Sequence, residues 1–210
     1  MYEWAILTPI HQVAFQLSLP KKSVSGLYKL CRKQAAWMVE AKTTGIIGGA
    51  METVEIDECQ IGRRKHHRGR PPNEVWVFGA VARGSNQTKC CIEIVKKRDE
   101  LTLTEVAVRR IHHDSDIVSD GWRAYGNFKE HFRSHKVVNH STNFVCPTDS
   151  NVHTQNVENI WKCLRKFLTF NGAYRRKHLS DYLQEFIYRK SFPDAFETFI
   201  SSLEAKLSIS

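Results

Sequence analysis

The sequence predicts an α/β domain in which a mixed sheet, built in the order βββαβαβα, is flanked by helices and preceded by a small helical segment. Two observations on pattern and one on size lead there. Three runs rich in Val and Ile follow one another between Thr53 and Lys97, separated by Gly, Asn and Pro. From Thr102 onward, strand and helix patterns alternate. A chain of 210 residues suffices for one sizeable buried core, and a second full domain is not expected.

Taken in order, "SVSGLYKLCRKQAAWMVEA" opens with Ser23 as an N-cap candidate and sets Val24, Leu27, Tyr28, Cys31, Ala35 and Met38 at helical spacing. Lys29, Arg32 and Lys33 fall on its polar side. That suits the last helix of a helix-turn-helix, and equally an ordinary surface helix. "TTGIIGGAME" has glycines and no periodicity and reads as a linker, so residues 1–44 form a helix-turn-helix-like remnant ahead of a second unit. "TVEIDEC", "EVWVFGAVAR" and "KCCIEIVKK" are the three strands of an expected antiparallel meander. "TLTEVAVRRIHH" reads as a helix, "DIVSD" as a short buried strand, "GWRAYGNFKEHF" as a helical turn region and "HKVVNHS" as a strand. Two helices close the sheet unit, from about His153 to Phe170 and from about Lys177 to Lys190, with "NGAYRR" between them. The unit spans 45–192 and a tail, 193–210, follows.

Charge bounds the partners. Lys and Arg total 31 against 22 Asp and Glu, a formal net charge of +9, which favours a polyanion such as nucleic acid. No run approaches the roughly 18 apolar residues that span a bilayer, so no membrane partner is expected. Glu3, His11 and Gln12 interrupt any secretory-signal pattern, which sets an intracellular expectation. The six cysteines form no C-x-x-C pair and read as reduced, mostly buried thiols.

Three acids stand out by position. Asp57 ends the first strand as read, Asp120 ends "DIVSD", and Glu158 lies in the first turns of the helix "HTQNVENIWKCLRKFLTF". Strand ends in α/β sheets present side chains to a common crevice, and a flanking helix can deliver a third carboxylate. Clustered carboxylates repel one another until cations neutralise them, and Mg²⁺ is the usual partner, in keeping with phosphoryl-transfer chemistry. Each acid also has an ordinary reading, as a loop cap for the aspartates and as a helix-dipole partner for Glu158. On the helix face beside the apolar stripe, Lys162 and Arg165 follow Glu158 and are placed either to hold a phosphate or to pair with it.

"GGAMETVEIDECQIGRRKHHRGR", "VWVFGAVAR", "IVSDGWRAY", "VVNHSTNFV", "HTQNVENIWKCLRK" and "YLQEFIYRK" occur together in this order, and over roughly residues 45 to 190 the chain resembles a Merlin-type transposase, a family related to bacterial insertion-sequence transposases. The resemblance implies a ribonuclease-H-like fold, a DDE triad, two Mg²⁺ (or Mn²⁺) ions, and transposon-end and target DNA as partners of a homo-oligomer. Its triad falls on Asp57, Asp120 and Glu158, with Asn156 as an alternative third residue. The intervals are 120 − 57 = 63 and 158 − 120 = 38. Glu58 should point to the other side of the sheet and is a less suitable ligand. The resemblance also lays the basic loop with Arg63, Arg64, Lys65, Arg68 and Arg70 against DNA, and five cations beside a phosphodiester site suit that role. A nuclear-localisation patch is the competing reading, and a eukaryotic copy would be nuclear. Trp122 and Trp161 read as core. The alternative function is a transposase-derived DNA-binding protein without catalysis.

Overall fold

The computed structural model describes residues 1–42, 45–62, 74–84, 89–138, 152–173, 178–192 and 194–207. Its elements run α1 (Tyr2–Ala5), α2 (Ile10–Gln16), α3 (Lys21–Lys42), β1 (Thr53–Ile61), β2 (Val75–Ala82), β3 (Cys90–Val95), α4 (Glu100–Arg110), β4 (Asp116–Asp120), β5 (Ser134–Val138), α5 (Gln155–Phe170), α6 (Leu179–Ser191) and α7 (Ala195–Leu207). The helical turn region expected between β4 and β5 consists of two 3₁₀ turns, Arg123–Tyr125 and Phe128–Glu130. Tyr125, Phe128 and Phe132 bury their rings there under the sheet, so the connection stays compact. Residues 195–207, read as part of a tail, form α7, which seats Phe199 in the core.

The five strands lie in the order β3-β2-β1-β4-β5. β1 pairs antiparallel with β2 and β2 with β3, whereas β1 pairs parallel with β4 and β4 with β5. β1, β3, β4 and β5 therefore point the same way, and their C-terminal ends share one edge of the sheet. Alternation along the strands divides the core into two layers. Val54 and Ile56 of β1 join Phe78 and Ala80 of β2 under α4. Cys59, Ile61, Val77 and Val81 face α5 and α6.

A third cluster joins Trp4, Val24, Tyr28, Ala35 and Met38 of the N-terminal helices to Tyr188 and Phe199. α3 starts earlier than Ser23, since the Pro20 carbonyl accepts from Ser23 N and Val24 N. Leu27, expected in the buried stripe, is exposed. Arg32, expected on the polar side, is buried against the Tyr182 ring and lies 3.9 Å from Glu185, whose buried carboxylate draws it inward. Part of the expected linker is ordered just past the C-terminal end of α4: Ile47 bridges Ile111, and Gly48 takes a positive φ of 82° against Ser115. Among the described residues no disulfide forms, and no helix is long and apolar enough to cross a membrane.

Candidate active site

Asp57 is the fifth residue of β1 and not its end, because Gln60 and Ile61 continue the pairing with β2. Glu55, Asp57 and Cys59 share the face toward α5, and the helix runs beside the strand in the same direction. Asn156 N and Val157 N donate to Glu55, Trp161 Nε1 donates to Asp57 Oδ2 at 2.9 Å, and Arg165 Nη2 lies 2.9 Å from Cys59 Sγ. The match of rises makes this possible. Two strand residues advance about 6.6 Å and four helix residues about 6 Å, so each step on β1 meets the next turn of α5.

Gly79 is the register partner of Asp57 on β2, and the Trp161 ring lies where its side chain would be. Gly79→Ala therefore overpacks the site and pushes the indole away from Asp57. The expected cost is about 1–3 kcal/mol, read from chemical denaturation.

Asp120, the last residue of β4, accepts from Trp122 N at 3.1 Å through Oδ1. β1 and β4 pair Thr53 with Asp116, Val54 with Ile117 and Glu55 with Val118, a constant offset of 116 − 53 = 63 residues. The ladder ends there, two residues short of Asp57 and Asp120, which the same 63-residue interval separates on these neighbouring strands. The two carboxylates feel each other. Burial pushes Asp57 up to about 7; the Trp161 N–H opposes the rise, and the charges of Asp120 and Glu58 add to it. Glu58 points to the opposite face, where Arg98 Nη2 donates to its Oε2 at 3.3 Å and the buried Tyr125 hydroxyl lies beside it. Burial raises the Glu58 carboxyl as well, with Tyr125 and Arg98 opposing.

Glu158 sits half-buried in the first turn of α5, three residues before Trp161, and accepts from Thr154 Oγ1 at 3.3 Å. Its carboxylate, with those of Asp57 and Asp120, does not form a group with all ligand atoms within 4.8 Å; among the described residues His112, His113 and Asp114 do. That trio precedes β4 and so lies at the other end of the strand from Asp120. Asn156 turns its amide to Glu55 Oε1 at 2.6 Å. Lys162 and Arg165 are on the exposed side of α5. Arg63, Arg64, Lys65, Arg68 and Arg70 lie outside the described residues.

A family model described as an ISXO2-like transposase domain matches residues 49–191, from just before β1 to the end of α6. The chain belongs to this family. The transposase domain thus contains the whole sheet, both aspartates and α5. No curated protein matches the sequence. Among solved structures, a chain of the simian T-cell lymphotropic virus intasome in complex with PP2A regulatory subunit B56 gamma is similar at 14% identity and a TM-score of 0.43. The similarity covers 69% of this chain and 50% of that one, so the chain spans about half the length of that relative.

The transposase domain also holds residues that sequence reasoning passed over. Glu55 is fully buried and takes Arg83 Nε at 2.6 Å, Asn156 N at 2.8 Å and Val157 N at 3.0 Å. A strand carboxylate thereby caps a helix 101 residues away in sequence. Arg83 also donates to the His153 carbonyl at 2.6 Å, fixing the approach to α5. The signal was available, since Glu55 stands two residues before Asp57 and so on its face. Trp161 is buried as expected, yet its N–H serves Asp57. Trp122, expected in the core, is exposed, because the turn after Asp120 carries it out over Arg98.

Proposed function

We propose that this domain is a Merlin-type DDE transposase of ribonuclease-H-like fold, which cleaves transposon-end DNA and joins it to target DNA. The observation that carries the reading is the Asp57–Asp120 pair: two carboxylates on adjacent parallel strands, with Asp57 held near 7 by burial and by the charge of its neighbour. Such a pair is at its most favourable with a dication between the charges, so the residues fit a divalent metal. Asp57 and Asp120 would hold it, with Glu158 as the third ligand that the resemblance implies. Bound Mg²⁺ or Mn²⁺, two ions in the resembled family, would supply Lewis-acid activation of a water or 3′-hydroxyl and stabilise the leaving oxygen.

The chain's own part is positioning. Trp161 Nε1 and Glu58 N each hold one oxygen of Asp57, and Trp122 N holds one oxygen of Asp120, so both carboxylates are oriented before substrate arrives. Glu158 enters from the helix that Glu55 caps. Lys162 and Arg165 on that helix, with Arg63, Arg64, Lys65, Arg68 and Arg70, supply phosphate contacts for a homo-oligomer on DNA. Residues 1–44 are a helix-turn-helix-like unit, 45–192 the catalytic domain and 193–210 a C-terminal appendage.

The test uses duplex DNA carrying the inverted repeats that flank the reading frame. With Mg²⁺, the protein is expected to cut at the repeat end and join the freed 3′-hydroxyl to a second duplex. Cutting that survives Asp57→Ala or Asp120→Ala would falsify the assignment. Salt-sensitive binding without metal-dependent cutting selects the non-catalytic DNA-binding reading instead.

A further inference from the structure

Trp122 is the large aromatic side chain nearest in sequence to the acid pair, and 38% of its surface is exposed. It follows Asp120 by two residues, and its backbone N–H to Asp120 Oδ1 holds the turn that presents it. One ring face is already covered. The Arg98 guanidinium carbon lies 4.6 Å from the Trp122 ring centre and 4.1 Å from that of Trp76, and Glu58 Oε2 tethers the same guanidinium at 3.3 Å. The cation is thus fixed between two rings and cannot swing out to occupy the open side of Trp122.

Exposed cations adjoin both members of this stack in the chain, with the exposed acids Asp99 and Glu100 following Arg98. Lys96 and Lys97, on the loop leaving β3, and Arg123, beside Trp122, are exposed. Lys96 and Arg123 form no ion pair with any described residue. These loops leave the C-terminal ends of β3 and β4, the edge that ends in Asp120. A flat aromatic face with exposed cations on its own loop and on the loop that carries Arg98 matches a nucleotide, the ring taking the base and the cations the phosphates. Bases within a duplex already stack on one another and offer only their edges. A base that lies on Trp122 must have left the helix, as at a frayed or freshly cut end.

We propose that Trp122, backed by Arg98, is a stacking site for an unpaired nucleobase of DNA at the end held beside Asp57 and Asp120. The inference rests on the transposase reading and adds to it a subsite that selects open ends. Trp122 binds and orients the strand, and Arg98 positions Trp122.

The experiment uses the full chain without metal and two repeat-end probes, one blunt and one with a short single-stranded overhang carrying 2-aminopurine. The wild-type protein and Trp122→Phe are expected to quench the 2-aminopurine emission and to prefer the overhang probe by about tenfold, the lower range for one stacked base. Trp122→Ala, and Trp122→Leu, which keeps apolar bulk without a π face, are expected to lose both the quenching and the preference while binding the blunt probe as wild type does. Unchanged quenching and preference in both variants overturn the stacking site and leave the transposase reading standing. If the wild-type protein binds neither probe, both fall together.

Discussion

On the proposed transposase reading, in which Asp57 would hold the metal, Asp57→Asn is expected to lower DNA cleavage by about three orders of magnitude, several kcal/mol of transition-state stabilisation. The same substitution should change stability in a way that an ordinary surface aspartate would not. The Asp57 carboxyl stands at about 7 in the folded chain against an ordinary 3.8, raised chiefly by burial and further by Asp120 and Glu58. A raised carboxyl leaves the folded state holding a proton that the unfolded state has released. Its contribution is therefore complete below about 4 and is lost as pH rises through about 7. Asparagine does not titrate, so the stability of Asp57→Asn relative to wild type should climb between these limits and level off above them. Thermal melts of both proteins without metal, from pH 4 to pH 8, check the sign. A constant difference across that range would remove the case for a strained acid pair. The wild-type protein should also gain more from Mg²⁺ above pH 7 than at pH 5, because a carboxylate must ionise to bind the ion.

Glu55→Ala is expected to destabilise the fold by about 3–5 kcal/mol, the range for breaking a buried ion pair from one side. Glu55 is fully buried, and Arg83, to which it is joined at 2.6 Å, is left without its carboxylate. The N–H groups of Asn156 and Val157 lose their acceptor at the same time. Arg83→Ala should cost a comparable amount, whereas the double variant should cost less than the sum, because neither charge is then buried alone. Urea denaturation of the three variants measures the coupling. Cleavage should fall beyond what stability explains, since α5 carries both Trp161, which holds Asp57, and Glu158.

Much of this was legible in the chain. Val and Ile runs mark β1, β2 and β3, and the apolar stripe Val157, Ile160, Trp161, Leu164 and Leu168 marks α5, because periodicity is local information. The 63-residue interval between Asp57 and Asp120 could be counted, but its meaning could not. It equals the pairing offset of β1 and β4, two strands that meet only after two more strands and a helix intervene. The sequence reads Asp57 as the end of the first strand, and Asp by itself is disfavoured inside strands. Pairing with β2 overrides that preference and carries the strand to Ile61.

Sequence alone determined the five strands and the helices α3 to α6, the basic balance, the family resemblance and the candidate acids, all of which depend on residue identity and short-range spacing. Tertiary structure decided which groups touch. Glu55 became the cap of α5, Gly79 made room for the Trp161 indole, and Arg98 slid between Trp76 and Trp122 while holding Glu58. These are contacts across 22 (98 − 76) to 102 residues of chain, set by strand register and helix docking. A side chain buried beside a charge must find a partner wherever the fold supplies one, and only the packed molecule names that partner.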